Sequence, residues 1–330
     1  MLSLFDRTAF GKKTGNLYKG NLHSHTTISD GKLTPREAVD LYRHNGYAFL
    51  CLSDHDVYTD FRDEFNSDDF ILLPGLECGC ALYEKNASGP CLKVHHVNAL
   101  LGTRKMRERA PHKPPTHMER IDFSPYAGSW DGPSVLRDMI MFLSGRGLFV
   151  TYNHPLWSRV EAEEFQDVGG IAALEIFNNG CEVESADGRD TVHWDAMLRR
   201  GGCVPGFASD DNHNARVDDS LGGWIVVNAD RLAHDDIVEA ILQGRYYSSS
   251  GPEVYEWGVR GGEAFVSCSA ANRINFIAGN RVGDGISILG KGLEDCLNGG
   301  TYRLKGHERY IRAECVDRFG HTAWTNPIVF

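Results

Sequence analysis

Asn21-Leu22-His23-Ser24-His25-Thr26-Thr27-Ile28-Ser29-Asp30-Gly31 is the stretch on which the fold of this chain turns. The run Leu17–His23 that leads into it reads as a strand. In His23-x-His25, the period-two alternation of an extended segment points both imidazoles to one side, so one ion can take both. Asp30-Gly31 then turns the chain. Thr34-Pro35-Arg36-Glu37 follows, with an N-cap threonine, proline at the first helical position and the glutamate of a capping box. The helix it starts is predicted to reach Asn45 and to stop at Gly46, a natural C′ residue. A strand that ends in imidazoles and is followed at once by a helix is the opening unit of an α/β fold.

The same unit recurs down the chain. Further strands are predicted over Tyr47–Ser53, Phe70–Glu77, Val94–Leu100, Gly147–Asn153, Ala173–Phe177, Val204–Ser209 and Trp224–Asn228. Helices are predicted over Val135–Leu143, Val192–Arg200 and Asp235–Gln243. Strand and helix in alternation imply parallel pairing, and seven or eight such units suggest a closed barrel. Beyond Gly251-Pro252 the helical periodicity fades and short β-rich runs take over, so residues 1–250 read as the α/β domain and 251–330 as a small antiparallel β domain. The long irregular stretch 103–130 reads as a lid over a site or as a solvated excursion.

Composition narrows the function classes. Lys and Arg number 34 against 45 Asp and Glu, a formal charge of −11, which argues against extended nucleic-acid binding. No apolar run approaches the ~20 residues of a membrane span, and the N-terminus lacks a signal-peptide core. A soluble, cytoplasmic protein is expected. The nine cysteines, an odd number, read as reduced and mostly packed thiols. Alternation puts Cys78 and Cys80 on the strand face opposite Glu77 and Gly79. No phosphate-loop or dinucleotide fingerprint is present.

The acids and histidines gather at the C-terminal ends of the predicted strands. His23 and His25 end the first, Asp54-His55-Asp56 the second, Glu77 the third and Asn153-His154-Pro155 the fifth. His95-His96 lie in the fourth, Glu175 and Asn178 flank the end of the sixth, and Asp210-Asp211-Asn212-His213 ends the seventh. In a barrel of parallel strands these ends open on one face, where active sites lie. Imidazoles and carboxylates without thiolates suit Zn, Mn or Fe in a hydrolytic, multinuclear site. Asp30, Glu77 and Asp211 supply the negative ligands, and Glu77 can bridge two ions with its two oxygens. Alternation alone does not choose between His95 and His96.

Four motifs in this order, at 21–31, Ser53-Asp54-His55-Asp56, Asn153-His154-Pro155 and Asp211-Asn212-His213, resemble the PHP (polymerase and histidinol phosphatase) superfamily of metal-dependent hydrolases. The resemblance covers about residues 15–250. It implies a distorted (β/α)7 barrel. The C-terminal part, with Tyr246-Tyr247-Ser248 and the closing Ala323-Trp324-Thr325-Asn326-Pro327, looks like the carbaryl-hydrolase-like branch. Carried over residue by residue, the resemblance puts His23 and His25 on one ion, Asp30 and His55 on a second, and Glu77 between ions. His154, Glu77 and His96 make a third site in trinuclear members, and Asp211 and His213 match the final motif. For Asp210-Asp211, the DxH spacing favours Asp211.

The expected activity is a metal-dependent phosphoesterase acting on a small phosphorylated metabolite or nucleotide. Two or three divalent ions would activate a bridging hydroxide. Arg159 and Arg216, which follow ligand histidines, are the candidate phosphate clamps, with Asn178 as a third substrate-binding residue. Asp54 or Asp56 is the candidate for proton transfer to the leaving group. The alternative that keeps the metals is an aryl ester or carbamate hydrolase. A non-catalytic module, in which metal serves only folding, ranks behind both because no ligand position is lost.

Overall fold

The computed structural model describes residues 6–11, 15–85, 89–123, 130–216, 218–292 and 296–330. The opening unit forms as the local code dictates. Strand Asn16–Asn21 is followed by helix Pro35–His44, capped by Thr34 in a full capping box with Glu37. Ala38, Val39 and Tyr42 are the buried face of that helix, and they share a core with Leu50, Leu52 and Leu72. The three other expected helices appear as Gly132–Ser144, Thr191–Arg199 and His234–Leu242. No described helix is long and apolar enough to cross a membrane.

The strands divide into two arcs. One sheet runs Gly206–Ser209, Ile171–Asn178, Leu148–Tyr152, Cys91–Leu101, Gly75–Tyr83. The other includes the parallel run Asn16–Asn21, Phe49–Leu50, Ile71–Leu72, and reaches Trp224–Ala229 by antiparallel pairing. Where the arcs meet, isolated bridges join Ser24 to Asn212 and His55 to Glu77. The hydrogen-bonded ladder is therefore not the closed barrel expected from seven or eight parallel units. One departure has a plain cause. Gly75–Tyr83 and Cys91–Leu101 pair antiparallel, because the short connection between them cannot hold the crossover helix that a parallel pair requires. A second is that the expected strand Phe70–Glu77 is broken into Ile71–Leu72 and Gly75–Tyr83.

Both arcs bury apolar residues in one core beneath the rim. Leu22, Phe49, Cys51, Leu100, Phe149, Phe207 and Ile225 meet there under helix His234–Leu242. A fully buried Leu or Phe contributes about 1.5–3 kcal/mol, so this plug makes the rim above it rigid. Cys78 and Cys80 are buried with Leu76 and Val97 in a second core, on the strand face away from Glu77.

The sheet runs on across residue 250. Tyr246–Ser249 pairs with Trp224–Ala229 on one side and with Thr322–Thr325 on the other. The strand Arg7–Gly11 pairs with Val254–Arg260, so this first described strand belongs to the β-rich layer. Buried Arg312 ties that layer to helix Thr191–Arg199. Its guanidinium lies 2.8 Å from Asp195 and 2.7 Å from Glu314, and over the Trp194 ring.

Candidate metal centre

Backbone hydrogen bonds around the rim set the ligand positions. Ser53 N donates to Ser24 O, Glu77 N to Ser53 O, Asn153 N to His96 O, and Asp211 N to His23 O. His154 and Asp211 take left-handed backbone angles, φ 26° and 52°. Such angles cost non-glycine residues roughly 1–3 kcal/mol and collect at functional sites. Glycine is required at residue 31, where a Cβ would stand 2.6 Å from the His25 carbonyl carbon. That close approach folds the 26–31 turn back so that Asp30 returns to the histidines.

Glu77 is the hub. It is fully buried. His23 Nε2 lies 3.2 Å from its Oε1, His96 Nδ1 3.3 Å and His154 Nε2 3.3 Å. Its Oε2 lies 3.3 Å from His25 Nε2 and 3.1 Å from His55 Nδ1. Asp211 Oδ1 stands 3.1 Å from His23 Nε2 and 2.9 Å from His25 Nε2. Asp30, more exposed, sits 3.8 Å from His55 and 3.4 Å from His213. The ligand atoms form overlapping groups: His23, His25, Glu77, Asp211; Glu77, His96, His154; and His25, Asp30, His55, His213.

These residues fit metal ions. Glu77 Oε2, His96 Nδ1 and Asp211 Oδ1 are buried and make no hydrogen bond, although each lies within 3.3 Å of other ligand atoms. Orphaned buried polar atoms are costly, and cations between them would remove that cost. The electrostatics agree. Burial opposes charge on Glu77, but the rings of His96, His23 and His55 outweigh it and hold its carboxyl well below the usual range. Burial alone would lower His25, yet the carboxylates of Asp211 and Glu77 beside it raise it to about 9. Without metal, protons occupy places that ions can take.

The other ring nitrogens are fixed from behind, as metal-binding histidines require. His23 Nδ1 pairs with Glu175 Oε1 at 2.9 Å, and His154 Nδ1 with Ser158 Oγ at 3.0 Å. Asn153 Nδ2 donates to Glu77 at 3.0 Å. Glu175 is the residue whose part the sequence alone leaves unassigned; its place at a strand end beside Asn178 is the available signal.

His96 and His95 separate as alternation requires. His96 faces the centre, whereas His95 is buried against Tyr152 Oη and the Gly132 carbonyl. Burial pushes His95 down to about 4, which suits a neutral core ring. Asp211 likewise faces the centre. Asp210 lies behind, accepting from Tyr42 Oη and from the backbone N–H of Leu221, Gly222 and Gly223.

Asp30, His55, Glu77, His96, His154, Asp211 and His213 line a cavity of about 690 Å³ that also reaches Lys32, Trp157, Val183 and Arg216. Four expected residues sit elsewhere or act differently. Asp54 is fully buried and accepts from Thr26 N and Oγ1 and from Ser29 N and Oγ, so its carboxylate anchors the 26–29 turn. Asp56, raised to about 6 by burial, lies beside Gly79 N; neither acid lines the cavity. Arg159 points away, to Asp187 at 2.8 Å. Asn178 is buried behind the site, donating to Glu175 and to Asp211 Oδ2. Arg216 does line the cavity, and Lys32 joins it there. In the 103–130 stretch, residues 124–129 lie outside the described residues. None of its described residues lines this cavity.

No family model and no curated protein matches the chain. Among solved structures, it is similar to a two-domain protein of Bacteroides vulgatus containing a predicted PHP-like metal-dependent phosphoesterase, at 14% identity over 95% of each chain and TM-score 0.46. It is also similar to a protein of Bifidobacterium adolescentis assigned as a metal-dependent phosphoesterase, at 17% identity, 68% of this chain, 95% of that one and TM-score 0.38. A third likeness is to an amidohydrolase of Chromobacterium violaceum, at 16% identity, 69% of this chain, 96% of that one and TM-score 0.42. None of these singles out the carbaryl-hydrolase branch. The solved proteins that this chain is similar to thus include a two-domain protein containing a predicted PHP-like metal-dependent phosphoesterase and a second protein assigned as a metal-dependent phosphoesterase.

Proposed function

We propose that this chain is a PHP-type metal-dependent hydrolase that cleaves a small anionic phosphoester. The observation that carries the reading is the set of buried ligand atoms on Glu77, His96 and Asp211 that make no hydrogen bond yet lie within 3.3 Å of other ligand atoms, gathered at the floor of an open cavity. His23, His25, Glu77 and Asp211 would hold one ion, Glu77, His96 and His154 another, and Asp30, His55 and His213 a third. Zn, Mn and Fe suit this N/O donor set. Ions bound there supply a water activated near neutral pH and charge neutralisation for the phosphoryl oxygens.

The chain's own residues do the rest. Glu175 pairs with Nδ1 of His23 and leaves Nε2 facing the centre. Asn153 and Asn178 orient the carboxylates of Glu77 and Asp211. Lys32 and Arg216 place positive charge at the cavity wall, where an anionic substrate enters. A neutral aryl ester or carbamate is the second reading, and Trp157 and Val183 on the cavity wall favour it. Elemental analysis of protein prepared without chelator should find at least about two ions per chain. A panel of phosphomonoesters, aryl esters and carbamates then separates the two readings. Turnover by fully metal-free protein would sink both.

A further inference from the structure

The cavity above the ligands is lined mainly by charged and polar side chains, with an apolar exception. Trp157 is half-buried, and Val183 is 52% exposed; both line this space. The indole lies at the end of the group formed by Glu77, His96 and His154. Its ring centre is 6.1 Å from that of His96 with the planes 29° apart, and 5.2 Å from that of His154, edge to face. The turn carrying it is tied down. Leu156 N donates to buried Asp190 at 3.1 Å, and Ser158 N donates to His154 O at 3.1 Å. Val183 rides on helix Asn179–Ser185, which Asn178 caps by accepting from Cys181 N. A ligand meeting this wall thus loses little free energy in ordering it. The cations of the cavity, Lys32 and Arg216, belong instead to the neighbourhood of His213: Lys32 N donates to His213 O, and Arg216 follows three residues later.

We propose that Trp157 and Val183 form the wall that receives an aromatic or heteroaromatic ring of the substrate, making the substrate a ring-bearing phosphoester rather than an aliphatic one. This rests on the hydrolase reading above. A half-buried indole that lines the cavity beside ligand rings offers a stacking face for a planar group and contributes nothing to holding an ion. A phosphoryl group over the ligands leaves its ester substituent to lie along the cavity wall. Trp157 and Val183 are apolar side chains of that wall.

The test uses phosphonates, which bind without being hydrolysed. Binding of phenylphosphonate and methylphosphonate to the metal-loaded protein is measured by titration calorimetry, with metal content determined in every variant. The wild type should favour phenylphosphonate about tenfold, the scale of one aromatic stacking contact. Trp157→Ala should abolish the preference, Trp157→Phe should keep most of it, and Val183→Ser should reduce it about twofold to fivefold. Equal affinity of the wild type for the two phosphonates overturns the proposal. So does a preference that survives Trp157→Ala with metal retained. If Trp157→Ala sheds metal, Trp157→Phe and Val183→Ser decide the matter: an unchanged preference in Val183→Ser together with a lost one in Trp157→Phe overturns the wall, and the expected pattern supports it. In parallel, kcat/KM for phenyl phosphate relative to glycerol phosphate should fall about tenfold in Trp157→Ala. Hydrolysis of neither ester, with the ring preference intact in binding, would refute the phosphoesterase reading and leave the wall standing.

Discussion

Glu175→Gln is the substitution whose outcome the geometry specifies most closely. The carboxylate is fully buried and serves four donors. Oε1 faces His23 Nδ1 at 2.9 Å and the Ser209 hydroxyl; Oε2 accepts from His154 N at 3.0 Å and Asn178 Nδ2 at 2.9 Å. Glutamine has nearly the same shape but one oxygen and one NH2. If its oxygen takes the Oε2 place, the NH2 faces His23 Nδ1 and presses the ring towards the wrong tautomer. If it takes the Oε1 place, the NH2 meets two N–H donors. Either way at least one charge-assisted hydrogen bond is lost, about 1.5–3 kcal/mol. Removing such a partner from a metal-binding histidine typically weakens metal affinity 10–100-fold, which corresponds to about 1.4–2.7 kcal/mol. Chelator competition should therefore show one ion, that on His23, weakened by this factor. Denaturant unfolding of the metal-free variant should show a loss of about 2 kcal/mol. Affinity and stability both at wild-type values would mean that Glu175 does not orient His23, and the account of the site from behind would be wrong.

Asp54→Asn should lower stability by about 2–4 kcal/mol, because four donors of the 26–29 turn lose a charged acceptor, and should reduce metal content; an unchanged melt combined with a lost acidic limb in the pH–rate profile would restore the proton-transfer role instead. Arg159→Ala should leave kcat/KM unchanged, whereas Arg216→Ala should lower it about threefold to tenfold, a modest effect because its side chain is largely exposed; equal losses in the two variants would contradict the placement. His25 is raised from 6.5 to about 9 in the metal-free fold, so its contribution is complete below the unfolded value and is lost as pH rises through the folded one. Metal-free protein should then be less stable near pH 10 than near pH 6 by on the order of 3 kcal/mol, and metal loading at neutral pH should release protons; a metal-free protein that gains stability across this range refutes the assignment.

Much of the centre is legible in the sequence because its grammar is local. Alternation fixes that His23 and His25 share a side and that Cys78 and Cys80 oppose Glu77, whatever the rest of the chain does. The capping box at Thr34 and the glycine at 46 bound their helix through contacts within a few residues, which is why the first strand–helix unit can be read almost to the residue. Strand ends rich in acids and imidazoles can likewise be placed on one rim once the α/β alternation is recognised.

The choices that local pattern leaves open are those that depend on which side faces the centre. His95 and His96 carry the same side chain, and their fates differ only because Gly79, Glu77 and His96 share the strand face that looks across the rim. Asp210 and Asp211 part for a similar reason: the left-handed turn at Asp211 swings one carboxylate to the ligands and leaves the other to bind the 221–223 backbone. Glu175 stands at a strand end whose role local pattern does not name, and its partners His23 and Ser209 come from the ends of other strands. Arg159 shows the reverse. Its distance in sequence from His154 is short, yet its own left-handed backbone turns the guanidinium towards Asp187. Residue type and short-range periodicity carry the donor chemistry and the order of the elements that present it. The tertiary structure alone decided which donors meet, because meeting depends on how two arcs of sheet, joined at the rim by isolated bridges, turn their faces towards each other.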